Sequence, residues 1–366
     1  RIQRFDADGN YETQWGSGGS GDGELSVPSR IAITHTGQAY VVDSSNNRIQ
    51  RFFDSEAWVS GTNTFVDSSV GPTSGEGGPG DILGASLTLD ASKELVVGDT
   101  TTVLESGSLS VSGGTLSTST LTTLPGSSLS LSGGTLSASV LNLDSFQFTG
   151  GTLNLTGPSG LTVGSTGLLG SLVTVGNGQT LDVDTTTIIQ RGSRITAVGD
   201  FSSDLLLIDS GGQFDAPSGY TNNDEIQLGG PSARITGALL TNSGVISGDG
   251  RIDVVINNSP TGEFRSSLSE RLVFTAASNI NDGNITTTDG QIEFFQDLEN
   301  RGRVNVTGAS TLRFGGGLTN AGEVAMSFAS TSLFGDITNK LGGIISLGGD
   351  STATVFGDVA NEGSIF

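Results

Sequence analysis

Few residues of this 366-residue chain have the type and spacing for chemistry, and most of those are carboxylates. Asp6 with Asp8, Asp22 with Glu24, Asp182 with Asp184, Asp224 with Glu225, and Asp249 with Asp253 place acid oxygens near one another in sequence, as a Ca²⁺ site requires. None lies in the twelve-residue loop of an EF-hand, and the glycine- and aspartate-rich nonapeptide that binds Ca²⁺ in β-helices is not repeated. Solvated turn carboxylates are the simpler reading. Asp6, Asp8, Asp182 and Asp184 remain the candidates for weak Ca²⁺ binding, and no other metal or cofactor is expected.

Carboxylate pairs on one face also serve glycoside hydrolysis. Asp182 and Asp184, two apart on an alternating strand, point the same way. Acyl-transfer chemistry would have to recruit His35, the one histidine, which sits in the turn Thr34-His35-Thr36-Gly37 with no Gly-x-Ser-x-Gly elbow in the chain. The run Gly16-Ser17-Gly18-Gly19-Ser20-Gly21-Asp22-Gly23 lacks the Lys-Ser/Thr ending of a phosphate loop. No catalytic residue is assigned, and the chain is expected not to be an enzyme.

Composition narrows the classes further. Formal charge is -22, and Lys93 and Lys340 are the only lysines, so binding through nucleic-acid phosphates is not expected. The chain has no cysteine, which excludes disulfides, thiolate metal sites and thiol nucleophiles. No run of 18 apolar residues occurs, so no membrane-spanning helix is expected.

Repeats indicate the elements that carry these residues. Arg1-Ile2-Gln3-Arg4-Phe5 returns as Arg48-Ile49-Gln50-Arg51-Phe52, an offset of 47, and periods of 40–50 residues belong to propeller blades and solenoids. With Phe5-Asp6-Ala7-Asp8-Gly9-Asn10, the glycine-rich run ending at Pro28, Ile31-Ala32-Ile33, Gly37, Tyr40-Val41-Val42-Asp43 and Asn46-Asn47, this stretch resembles an NHL repeat. The resemblance implies about one blade of a β-propeller over residues 1–59. An ion pair between Arg48 and a nearby carboxylate such as Asp43 is expected to fix its geometry. A Gly/Pro linker over 60–82 follows, and a second region over 83–366.

That second region alternates strictly. Leu109-Ser110-Val111, Leu129-Ser130-Leu131, Leu153-Asn154-Leu155 and Leu181-Asp182-Val183 each have a period of two, and Gly-Gly-Thr-Leu recurs at 113, 133 and 150. Toward the end Asn300, Asn320, Asn339 and Asn361 step by 20, 19 and 22, with Asn242, Asn258 and Asn281 as earlier, less regular members. Phe274, Phe295, Phe314, Phe334 and Phe356 step by 21, 19, 20 and 22. Two columns sharing one drifting period imply coils of about 20 residues stacked about 4.8 Å apart. Stacked rings would fill one corner, and stacked amides would bond from coil to coil. Helix formers are scarce in this Gly-, Ser-, Thr- and Asn-rich text. The expected fold is all-β, a parallel β-solenoid of roughly 14 coils with the right-handed winding usual for parallel crossovers.

These coils resemble the β-solenoid stalks of secreted autotransporter-like adhesins. The resemblance implies an extracellular or cell-surface structural protein, a stiff stalk or a head-to-tail filament subunit whose partner is a second copy. An adhesin recognising polysaccharide or protein is the alternative, and a carbohydrate-active β-helix enzyme the third reading. Asn154, Asn257, Asn284 and Asn305 satisfy Asn-x-Ser/Thr, which in Thr-rich text arises by chance.

Overall fold

The structure, a computed structural model, describes residues 1–5, 10–33, 39–52, 59–60, 81–82, 86–91, 93–103, 105 and 107–366. His35, Asp6, Asp8 and nearly all of the expected 60–82 linker lie outside the described residues. Two compact units emerge, one of residues 1–135 with 144–147, the other of 136–143 with 148–366. Parallel coils of about 20 residues, about 14 turns in all over residues 86–365, occur in both units, and the fold is all-β with a parallel β-solenoid.

In the first unit, Ile2–Phe5 pairs antiparallel with Tyr11–Trp15. Pro28–Ile33, Ala39–Asp43 and Arg48–Phe52 form a three-stranded antiparallel meander. Coiling begins in the same unit, where Ser86–Leu89 and Glu94–Val103 both pair parallel with Ser108–Thr123. Alternation explains that strand: Leu109, Val111, Leu116 and Leu121 point inward and are buried, Thr118 joins them and hydrogen-bonds to Thr101, and Ser110, Ser112, Ser117 and Ser119 lie on the outer side. Gly134 has φ +69, and a Cβ there would collide with the carbonyl of Gly114. The Gly-Gly-Thr-Leu phrase thus marks where consecutive coils approach too closely for any side chain.

The second unit starts with two principal strands per coil, as where Gln179–Ile189 pairs with Asp200–Asp209. From Tyr220–Asn222 onward each coil gains a third short strand, and these stack into an eight-stranded sheet ending at Val359–Asn361. A typical coil reads Asn284–Thr288, Gln291–Phe294, Leu298–Asn300.

The interior holds Val, Ile and Leu with a column of rings. Phe274, Phe294 and Phe314 are fully buried and stack nearly parallel, centroids 4.5 and 5.7 Å apart, with Phe264 edge-on to Phe274 at 4.9 Å. Register places Leu333 below Phe314 and Val355 below Leu333. The expected column therefore merges two neighbouring ones. Phe274 and Phe314 belong to the buried column, with Phe294 between them. Phe295, Phe334 and Phe356 sit one residue further along, where alternation turns the side chain outward, and all three are exposed. Phe334 and Phe356 stack on each other there at 4.8 Å. Two adjacent apolar or aromatic residues at one bend, as in Phe294-Phe295, Leu333-Phe334 and Val355-Phe356, allow either register by period alone. The backbone pairing decides between them.

The stacked asparagines are not among the residues with positive φ. The left-handed corner runs instead through Leu268, Asp289, Gly308, Phe328 and Gly349, with φ between 46 and 70.

Candidate functional site

Asparagines that end the third strand of each coil form one continuous ladder. Asn222 Nδ2 donates to Asn242 Oδ1, and the same bond continues through Asn258, Asn281, Asn300, Asn320, Asn339 and Asn361 at 2.7–2.8 Å. From Asn222 to Asn339 each amide is almost or fully buried. The second N–H of each reaches a backbone carbonyl of the next coil, as Asn300 does to Glu323 O at 3.1 Å. Buried amides cost stability unless satisfied, and here the next coil satisfies them. Asn222 is the member that sequence spacing missed, although its step of 20 to Asn242 carried the signal.

The second-strand face of the same coils carries charge outward. Arg234, Arg251, Val273, Glu293 and Arg313 align in one column by strand register. Asp253, at the adjoining bend, accepts from Arg234, Arg251 and Thr275 Oγ1. Burial works to raise the Asp253 carboxyl, but the Thr275, Arg251 and Arg234 hydrogen bonds outweigh it and hold its pKa below the usual carboxylate value. Glu293, with a side chain only 5% exposed, is gripped by Arg271 and by Arg313. Arg313 also lies over the Phe334 ring, 4.7 Å from its centroid, where Gly315 in the Arg313 coil leaves no side chain between Phe295 and Phe334.

Beside it, the third-strand sheet bears an open groove of about 620 Å³ lined by Asn279, Asp297, Glu299, Thr319, Asp336 and Thr338 among others. Its acids already have partners. Asp297 Oδ1 accepts from Gly317 N and Asp336 Oδ1 from Asp358 N. The Glu299 pKa is held below its usual value chiefly by the Arg301 hydrogen bond, with Lys340 contributing.

The expected acidic sites fare unevenly. Asp182 and Asp184 do share the outward side of Gln179–Ile189, with Asp182 accepting from Ser202 Oγ. Asp22 and Asp253 are engaged by arginines, which compete with any cation. Among the described residues, no group of three His, Cys, Asp or Glu is placed to hold a metal.

In the N-terminal unit the hub is Asp43. It is fully buried and accepts from Ser26 N, Asn46 Nδ2, Arg48 Nε and Gln50 Nε2 at 2.6, 2.7, 2.9 and 3.1 Å. Burial alone would raise its pKa, but these bonds lower it from 3.8 to about 2. Arg48 thus pairs with Asp43 as the sequence suggested, and it also donates to the carbonyls of Gly21 and Glu24. The glycine run does not present a free anion cradle: Gly21 N is taken by Glu24 Oε2 and Gly23 N by Gln50 Oε1. The chain matches no known family, no curated protein and no solved structure.

Proposed function

We propose that this chain is a non-catalytic structural protein, a stiff β-solenoid stalk displayed outside the cell. The observation that carries the reading is the ladder of eight asparagines bonded coil to coil. Such a ladder adds side-chain hydrogen bonds parallel to the stacking direction, on top of the backbone bonds that already link every coil. The seven from Asn222 to Asn339 are buried, where they meet no ligand, so the groups most elaborately arranged in this chain serve cohesion. The absence of cysteine removes thiol redox chemistry, and a charge of -22 favours solubility.

Immunogold labelling of intact, unpermeabilised cells tests the location. Label on the outer surface supports the stalk, and label only after permeabilisation rejects it. In the filament form of the reading, a second copy is the partner. Sedimentation then shows a concentration-dependent series of end-to-end assemblies, whereas a single monomeric species at all concentrations removes that form.

A further inference from the structure

We infer that the second-strand face of the coils spanning Arg234 to Phe334 is a binding strip for an anionic polysaccharide, a function beyond that of a passive stalk. Four arginines share two sequestered carboxylates there: Arg234 and Arg251 hold Asp253, Arg271 and Arg313 hold Glu293. Four positive charges against two negative leave a surplus of two, in a chain whose total is -22. All four guanidinium side chains are about half exposed, while between them Glu293 is buried and the Asp253 side chain is only 11% exposed. Arg251, Arg271 and Arg313 each spend one nitrogen on a carboxylate, leaving further N–H donors turned to solvent.

Cohesion does not require this arrangement. Val273 occupies the same column between Arg251 and Glu293, so an aliphatic side chain satisfies the position. Buried ion pairs are often no more stabilising than apolar residues of similar size. What the carboxylates do achieve is orientation. They fix flexible arginines in advance, which lowers the entropic cost of binding an oxyanion through paired N–H groups.

The spacing selects the ligand. Arg234, Arg251 and Arg271 lie on consecutive coils and Arg313 two coils further on, so guanidinium groups recur about every 5–10 Å along the stack. Beside them runs an apolar column, Phe295 and Phe334, exposed at 41% and 43%. A chain of sugar rings carrying carboxylate or sulfate groups offers both partners, anions for the arginines and C–H surface for the rings. Nucleic acid, with one charge per about 1.7 Å of duplex, is too dense for a surplus of two on so acidic a protein. Repulsion from the remaining acids is screened beyond about 8 Å at physiological salt.

The test measures binding of the full chain to polygalacturonate, sulfated dextran, neutral dextran and poly-L-glutamate by titration calorimetry at low salt. The expected result is binding to one or both anionic polysaccharides at least tenfold tighter than to neutral dextran. The two anionic arms separate carboxylate from sulfate recognition. The double variant Arg251→Gln with Arg313→Gln leaves Asp253 and Glu293 one arginine each, so the fold survives, and it loses at least tenfold in affinity. Arg303→Gln, outside the strip, changes affinity less than twofold. Equal affinity of wild type and double variant overturns the proposal. So does binding to poly-L-glutamate as tight as to the best polysaccharide, which would reassign the strip to acidic protein segments.

Discussion

Asn300 Nδ2 lies 2.8 Å from Asn320 Oδ1, and Asn320 Nδ2 lies 2.8 Å from Asn339 Oδ1, so one amide both receives from the coil before and gives to the coil after. Every bond in the ladder runs in the same sense. Aligned amides polarise one another, which strengthens such chains beyond isolated pairs.

Removing one rung leaves two groups without partners. Asn320→Ala strands an N–H of Asn300 and the oxygen of Asn339, both fully buried. At about 1–3 kcal/mol for each orphaned group, the loss should total about 2–6 kcal/mol. Urea unfolding followed by far-UV circular dichroism checks it, and a change below 0.5 kcal/mol (about the scale of ordinary surface substitutions) would discount the ladder.

Neighbouring phenylalanines should behave oppositely. Phe294 is completely buried between Phe274 and Phe314, so Phe294→Ala should cost about 3–5 kcal/mol. Phe295 points outward, and Phe295→Ala should cost less than about 1 kcal/mol. Similar losses at both positions would mean that the register assigned to this face is wrong.

That contrast also shows how far the sequence could be read. The coil period and the ladder from Asn242 to Asn361 were legible because asparagine is rarely repeated at one spacing without a stacking reason. The Phe column was legible only to within one residue, since Phe294-Phe295 offers two registers and hydrogen bonding makes the choice. Paired arginines around Asp253 and Glu293 were not legible. Their partners lie 19–22 residues away on other coils, or two residues along the chain just past the strand end, and no local motif announces either arrangement. Asp43 with Arg48 was legible because both sit in one strand–turn–strand unit.

Backbone strain at the left-handed corner gives a stabilising prediction. Leu268 has φ 46 and is 82% exposed, so it pays for an unfavourable conformation without burying its side chain. Asparagine tolerates that conformation, and Leu268→Asn should stabilise by about 1 kcal/mol. A lowered melting temperature would show instead that Leu268 makes a contact worth more than the strain.

Acid should unfold the N-terminal unit through Asp43. Its folded pKa is about 2 against 3.8 ordinarily, so at pH values between these the unfolded chain holds more protons. The stability Asp43 contributes is complete above the ordinary carboxylate value and is lost as pH falls toward 2. Trp15 and Trp58, the only tryptophans, both lie in the first 60 residues and report this transition by fluorescence. Asp43→Asn should flatten the pH dependence in that window, and an unchanged profile would assign the transition to other acids.

In the proposed stalk, coil-to-coil amide bonding gives the chain its mechanical strength. Single-molecule pulling on the full chain, wild type beside Asn320→Ala, measures that strength directly. The variant should yield at a clearly lower force, with the first extension step arising in the coils around residue 320. Identical rupture forces and step positions in the two proteins would contradict it.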